Sequence, residues 1–523
     1  CQRAGDLPGA LRAVEEALSL APGHPQLLRL KRDLLFAAGR LEDAAALNGS
    51  LLNEQPRDPQ LRVFQIYLWQ RQGRLAEALE AATRLLEAPE LSEGLRHQVR
   101  LVQADLFQSQ GRPAEALRVL APLTGESGLD VQSRRAFLLL ATEQPDEAMR
   151  SFQSALALAP GPGEPRRTLL LGLRDAARAA GKPEQELGAL KSLHDLDPKD
   201  RRIALDLAYA YLARGRDREA LSLFSTALDA QSPPGAWLDA GYAAKRLGRN
   251  AEAAADFSRG LDARAASGVR APAFDYGLRR EVEGLERTWG LVSGTAFRQG
   301  GLLPGTASQQ RILQEGLEAY WQPARLARNG RLVQVYAQVF ETLHAGQDGV
   351  TGGPTLQGVL GIRAKPFASE NLVVGVQKLV KLGRYSLDDW MFRAAYSRDE
   401  GLDLRPWQDR WTCWSFYTEG ADFARSGHYI HQMEGRVGWA YRPEAGSGRN
   451  VWWPHLVVAG DYDNRLAPRA AGGIGLGASV RHWFREDRHR APASWIELTV
   501  QGRARVSPAS RGGGLFLTLT CWF

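Results

Sequence analysis

Neighbouring acids, histidines and cysteines are where this chain could do chemistry, and their spacing argues against most of it. Asp388 and Asp389 are adjacent, so on a strand they leave opposite faces and cannot serve one substrate as acid and base. Asp461 and Asp463 share a face by period; such a pair could bind calcium or act on a sugar, and a solvated strand end explains it as well. His428 and His431 do not share a strand face. Cys1, Cys413 and Cys521 are too far apart for a CxxC pair, and no histidine cluster completes a zinc site, so isolated thiols are expected. No nucleophile elbow, P-loop or HExxH occurs. Gly473, Gly475 and Gly477 alternate within a strand pattern, which suits close packing in a sheet better than phosphate binding. Not an enzyme, with no catalytic residue, cofactor or metal, is the expectation.

The more informative constellation is a polar face. Tyr429, His431, Met433, Gly435, Val437, Trp439 and Tyr441 alternate with Gln432, Glu434, Arg436 and Gly438. Ile496, Leu498, Val500, Gly502, Ala504 and Val506 alternate with Trp495, Glu497, Thr499, Gln501, Arg503 and Arg505, and Val333, Val335, Ala337 and Val339 with Gln334, Tyr336 and Gln338. A soluble antiparallel sheet with one wet side gives the same alternation. The stretches run ten to twelve residues, the length of a tilted bilayer crossing. Aromatics gather near their ends: Trp411 and Trp414, Trp452 and Trp453, Trp483 and Phe484. Charges at bilayer depth must turn inward, so Gln432, Glu434, Arg436, Trp495, Glu497, Gln501, Arg503 and Arg505 are the lumen-facing candidates. They make either a hydrated path for a sugar polymer, with Trp495 as a stacking platform, or an Arg–Glu plug.

Twelve strands are expected, near 288–298, 311–322, 330–342, 355–365, 371–381, 389–398, 411–423, 429–441, 451–462, 473–485, 494–506 and 514–523, with a turn at Asn329-Gly330. A sheet in lipid must close to leave no unpaired amides, so the reading is an antiparallel transmembrane β-barrel.

Before residue 285 the period is 34. Gly5, Gly39 and Gly73 are spaced by it, Ala10, Ala44 and Ala78 follow each glycine by five, and Pro22 and Pro56 follow the first two alanines by twelve. Ala148, Phe152, Ala155 and Pro160 fit the same scheme, as do Gly215, Ala220, Phe224 and Ala227. Glycine permits the turn between two antiparallel helices, alanine lets them approach, and proline ends the second. The pattern resembles tetratricopeptide repeats. About eight helix pairs are expected, irregular near 120–140 and 160–175; the repeat near Glu143 lacks its glycine. Residues 1–284 are thus expected as an α-solenoid that starts inside a repeat, and 285–523 as the barrel. Cys1 as the lipidated first residue of a mature lipoprotein is the alternative.

Charge and hydropathy agree with two halves. The net charge is +7; residues 1–285 hold 38 residues of each sign, so the excess lies in the second half. No basic cluster with interleaved aromatics points to nucleic acid. No run of 18 apolar residues and no signal peptide are present.

Several segments resemble the C-terminal domain of the bacteriophage N-four adsorption protein A family: Asp388-Asp389-Trp390, Tyr396-Ser397-Arg398-Asp399-Glu400-Gly401, Arg481-His482-Trp483-Phe484-Arg485-Glu486, Arg490-Ala491-Pro492 and Gly514-Leu515-Phe516. The likeness spans about Gly290–Phe523, and its motifs are aromatic and basic. The alternating end, Leu515 to the terminal aromatic Phe523, looks like the last strand of an outer-membrane protein, the barrel-assembly signal. Repeats before a barrel are also similar in layout to polysaccharide-export porins. The resemblance implies an outer-membrane protein with periplasmic repeats, used by a phage as receptor and linked to exopolysaccharide export. The implied partners are a phage tail protein, outer-membrane lipid, a polysaccharide in the lumen, and an inner-membrane glycosyltransferase or periplasmic protein on the repeats. The alternatives are a non-transporting receptor or structural barrel, and a soluble repeat scaffold fused to a β-sandwich carbohydrate-binding module.

Overall fold

The computed structural model describes residues 6–89, 91–123, 128–159, 161–299, 311–346, 349–443 and 448–523. The chain divides into two compact units, Cys1–Ala210 and Tyr211–Phe523.

Helices come first. α1 (Leu7–Leu20) is followed by α2 (Pro25–Ala37) and α3 (Leu41–Glu54), α4 (Pro59–Arg71) and α5 (Leu75–Leu86), α6 (Glu93–Ser109) and α7 (Pro113–Leu120), and α8 (Leu129–Ala141) and α9 (Pro145–Leu158). Then come α10 (Glu164–Ala179) and α11 (Pro183–Leu196), α12 (Arg201–Leu212) and α13 (Asp217–Ala227), α14 (Pro234–Arg246) and α15 (Asn250–Ala266), and finally α16 (Pro272–Glu286). The turn inside each pair carries a residue with left-handed φ. It is glycine at 39, 73, 111, 181, 215 and 248, and Glu143 (φ 58°) in the one pair that lacks the glycine. The expected alanines Ala44, Ala78, Ala148 and Ala220 are contact points, wholly buried in the second helices, and Ala116 and Ala253 take the same place in α7 and α15. Phenylalanines fill the space beside them. Phe152 of α9 lies where Gly172 of α10 would carry a Cβ, and Phe257 of α15 against Gly241 of α14. Gly5, Pro160 and Cys1 to Ala4 lie outside the described residues.

Twelve strands follow: β1 (Trp289–Gln299), β2 (Arg311–Trp321), β3 (Leu332–Ala345), β4 (Gln357–Lys365), β5 (Asn371–Lys381), β6 (Asp389–Glu400), β7 (Arg410–Phe423), β8 (His428–Tyr441), β9 (Asn450–Asp463), β10 (Ala470–Phe484), β11 (Ser494–Arg505) and β12 (Gly514–Trp522). Each pairs antiparallel with its sequence neighbour, and β1 pairs with β12, so the sheet closes on itself. It is not two stacked layers. The seam runs from Val292↔Trp522 to Phe297↔Leu517 and is extended by reciprocal backbone hydrogen bonds between Leu291 and Phe523. Asn329 and Gly330 both take left-handed φ, the two-residue hairpin turn that this dipeptide favours.

Alternation decides which side chains enter the barrel. On β8 to β12, Trp439, Trp452, Leu456, Val458, Leu476, Ile496 and Leu498 are exposed, while Trp453, His455, Ser479, Trp483, Thr499 and Gln501 are buried. The apolar face of this wall is the outer one, and protein does not cover it. The aromatics expected at strand ends therefore split between the two sides. Trp439 and Trp452 lie outside, as do Trp289 and Trp321, which sit opposite each other on β1 and β2. Trp411, Trp453 and Trp483 point inward, because strand parity and not nearness to an end sets the side.

Within the second unit, α16 and the loops after β6 and β10 meet at one end of the barrel. Tyr276 of α16 packs with Leu404, Trp411, Cys413, Trp453, Trp483 and Ala491. Its ring lies 5.5 Å from Trp407, edge-on. Arg279 donates to the carbonyls of Asp487 (2.5 Å) and Arg490 (2.8 Å), and Arg287 to that of Ala493 (3.0 Å). Arg280 pairs with Asp403. Burial pushes the Tyr276 phenol above its ordinary pKa, so the wedge is neutral.

Candidate functional site

The interior of the barrel gathers most of the polar residues singled out by spacing. Glu434 of β8 takes hydrogen bonds from Arg436 on its own strand and from Arg503 of β11. Arg503 Nε also donates to Gln501 Oε1 at 2.9 Å, and Gln501 Nε2 lies 3.3 Å from His455 Nε2. Glu497 pairs with Arg481 of β10 at 2.7 Å. Gln432 is half-buried, opposite Asp461 of β9. Arg505 ends β11, exposed.

Trp495 is already engaged. Its ring stacks with Trp522 at 6.4 Å and 15°, and the Arg481 guanidinium stands 4.3 Å from its centre. Phe523 sits at the seam, its ring 5.9 Å from Trp289 and 4.1 Å from the Arg485 guanidinium.

Two further ion-paired groups were missed by spacing. Glu318 of β2 holds Arg363 of β4 at 2.6 Å, with Gln338 of β3 between them donating to the same carboxylate. Arg393 of β6 pairs with Glu419 of β7 at 2.8 Å, and Tyr417 donates to that carboxylate. The signal existed: Arg363 and Glu318 each alternate with apolar neighbours, Ile362 and Ala364 in one strand and Leu317 and Ala319 in the other.

A cavity of about 530 Å³ opens from the end away from α16. Its wall includes Arg393, Glu434, Arg436, Asp461, Arg503 and Phe516. Asp461 and Asp463 both line it, but each is committed: Asp461 to Arg511 (2.7 Å), Asp463 to His428 (2.9 Å). Asp388 and Asp389 part as parity requires. Asp388 pairs with Lys378, and Asp389 is buried and accepts backbone N–H groups of Trp390, Arg425 and Ser426. Among the described residues no three His, Cys, Asp or Glu side chains are grouped to hold a metal ion. Cys413 and Cys521 are free thiols.

The glycines of β10 make room for this network. A Cβ on Gly475 would lie 2.0 Å from the Gly502 carbonyl oxygen, and one on Gly477 2.4 Å from His455 Nε2. With no side chains there, Arg503 can cross above β10 and β9 to Glu434.

Helix pairs followed by a closed, twelve-stranded antiparallel barrel with a polar interior define the class: a repeat scaffold joined to a β-barrel. Within it, residues 348–519 match the family model described as Bacteriophage N adsorption protein A C-term, inside the expected Gly290–Phe523. Two tetratricopeptide repeat models match residues 2–63 and 205–269. These families are non-enzymatic in kind. No curated protein matches the chain. Similar solved structures include a tetratricopeptide repeat protein from Parabacteroides merdae, 18% identical, covering 45% of this chain and 92% of its own, with a TM-score of 0.31. MamA (41-end) from Desulfovibrio magneticus RS-1 is 17% identical over 33% of this chain and 93% of its own, with a TM-score of 0.28.

Proposed function

We propose that the chain is an outer-membrane protein. In this reading its barrel is a largely closed wall that anchors a periplasmic repeat scaffold and offers its other rim to an adsorbing phage. The observation that carries this reading is the outer face of β8 and β9. Tyr429 and Trp439, 41% and 50% exposed, are ten residues apart on one side of β8. Trp452 and Tyr462 are ten apart on β9. That separation is about 34 Å along a strand and about 25 Å along the axis of a tilted barrel, the height of an outer-membrane apolar band. Between them the outer face of β9 carries Pro454, Leu456, Val458 and Gly460, and no charge. Among the described residues no helix is long and apolar enough to cross a membrane.

The interior favours a receptor or structural barrel over a standing pore. Opposite charges meet across it, and Tyr276 of α16 fills the aromatic cluster at one mouth. The repeats then dock a periplasmic protein or an inner-membrane glycosyltransferase, and the rim away from α16 meets the phage tail protein. Export of a polysaccharide is the second reading. The 530 Å³ cavity, lined by arginines and Phe516, favours it as an exit vestibule.

Fractionation and gel mobility test the first reading. The protein is expected in the detergent-extracted outer membrane, migrating differently before and after boiling; release into the soluble fraction without detergent overturns it. Phage adsorption to cells lacking the gene, restored by the intact gene and not by one with altered rim loops, tests the receptor role. Unchanged surface polysaccharide in the deletion strain counts against export.

A further inference from the structure

Two neighbouring loops at the α16 end of the wall carry positive charge that nothing balances. The loop from β2 to β3 holds Arg325, Arg328 and Arg331, all exposed, and Lys365 ends β4 opposite Leu332. Among the described residues none of these four cations has a carboxylate partner. The acid of the β4–β5 loop, Glu370, accepts the Tyr396 hydroxyl at 3.0 Å. Two of the arginines are set face to face. Arg328 and Arg331 exchange backbone hydrogen bonds of 2.8 and 3.0 Å across Asn329-Gly330. Such a pair sends both side chains to one face with Cα atoms about 5.5 Å apart, and like charges so placed repel. The loop is held in this state from two sides. Asn250 of α15 donates to the Ala327 carbonyl at 3.0 Å, and Ala368 of the β4–β5 loop stands 3.5 Å from where Gly330 would carry a Cβ.

We propose that this part of the rim binds the phosphate of an anionic phospholipid headgroup in the leaflet next to the repeats. The proposal rests on the outer-membrane reading and adds to it a lipid preference on one side of the wall. Unpaired charge calls for an anion: a phosphate clasped between Arg328 and Arg331 turns their repulsion into two charge-assisted contacts, and Arg325 and Lys365 add to the field. Position chooses a lipid as the source of that phosphate. Trp289 and Trp321 are exposed on the outer face just before the loop, and outward aromatic rings at a strand end mark the level of the headgroups. Leu326, between the arginines, and Phe367, beside Ala368, are also exposed. A free anion or an acidic protein segment would engage the guanidiniums and leave these side chains in water. A phospholipid engages both, its phosphate meeting the cations and its glycerol and upper acyl chains meeting the apolar groups.

The test gives the full chain in detergent micelles either phosphatidylglycerol or phosphatidylcholine with the same acyl chains, and counts the lipids retained by native mass spectrometry. Phosphatidylglycerol is expected to be held about tenfold more tightly. Arg325→Gln, Arg328→Gln and Arg331→Gln together are expected to bring it down to the level of phosphatidylcholine. Arg12→Gln, Arg118→Gln and Arg150→Gln, the same change of charge on the repeats, are expected to leave the preference intact. If the first triple variant loses its heat-modifiable form, Arg325→Gln with Arg331→Gln, which keeps the Arg328 stem against the Gly248 turn, decides. Equal retention of the two lipids, or a preference that the rim substitutions leave unmoved or the repeat substitutions move as much, overturns the proposal. Displacement of the lipid by inorganic phosphate marks a free-anion site, and displacement by a soluble peptide of Glu and Ser marks an acidic protein partner; either overturns it too. Insertion into phosphatidylcholine vesicles is scored separately. A chain that inserts but shows no lipid preference sinks this proposal alone, and a chain that does not insert sinks the outer-membrane reading with it.

Discussion

Arg503 of β11 donates to the carboxylate of Glu434 on β8, 69 residues earlier in the chain and three strands away around the wall. The pair spans the interior instead of running along it. Two things make this possible: the alternation that turns both residues inward, and the side-chain-free stripe at Gly473, Gly475 and Gly477 beneath the arginine. Each side chain is mostly buried, so neither charge can be left alone cheaply.

Removing both members is therefore expected to cost less than the two single removals added together. Glu434→Ala alone should destabilise the folded barrel by about 2–4 kcal/mol, and Glu434→Ala with Arg503→Ala by less than the sum of the singles. The temperature at which gel mobility converts from folded to unfolded measures this. Additive losses would mean that the two groups are not coupled.

Steady current through planar bilayers should be small for the unaltered protein. It should rise when Tyr276→Ala and Arg279→Ala are combined, because the wedge and its clamp on the Asp487 and Arg490 carbonyls are then gone. A large current without the substitutions argues for a standing pore.

Glycines on the two sides of the wall are expected to tolerate substitution differently. Gly475→Val places a Cβ about where the Gly502 oxygen stands and should abolish the heat-modifiable form. Gly435→Val on the outer face of β8 meets nothing within 4 Å and should fold. Equal behaviour of the two would contradict the packing.

Asp256 gives a pH dependence. Burial raises its pKa to about 6, against the attraction of Arg259. The folded state thus binds the proton more tightly than the unfolded chain does. The associated stability is complete below the ordinary carboxylate pKa and is lost as pH rises through about 6. Between pH 7 and pH 5 the helices of the second unit should gain about 1–2 kcal/mol. Urea midpoints read by helical circular dichroism should show the gain, and Asp256→Asn should flatten it.

Glu143 holds a left-handed φ of 58° where the other turns use glycine. Glu143→Gly should stabilise the first unit by about 0.5–1 kcal/mol, since a Cβ in that region is strained. A loss of stability would show that the side chain has a role the turn geometry does not explain.

Much of this architecture was legible in the sequence, for a physical reason. Every strand of a closed wall meets two contrasting surroundings, so Ile496 to Arg505 and Tyr429 to Tyr441 announce both strand and side. The 34-residue spacing announces the helix pairs, because each repeat must place its glycine and alanine at the same contacts. What escaped depends on partners distant in sequence. Nothing in the pattern around Tyr276 says that it enters the barrel mouth. Nothing around Trp495 says that Trp522 and Arg481 already hold its ring, which removes it as a free platform for a sugar. Trp411, Trp453 and Trp483 looked like interface aromatics by position, and only the register shows them inside.

Only Arg287 and Thr288 stand between the last residue of α16 and the first of β1. Two residues reach about 7 Å at full stretch, so the helix has almost no slack. It cannot drift away from the mouth as a tethered ball would. It can hinge about that joint, or unravel its final turn, and either movement pulls on the strand that closes the cylinder against β12. Traction on the helix is thus delivered to the seam, and whatever tugs the solenoid also tests the weld of the wall.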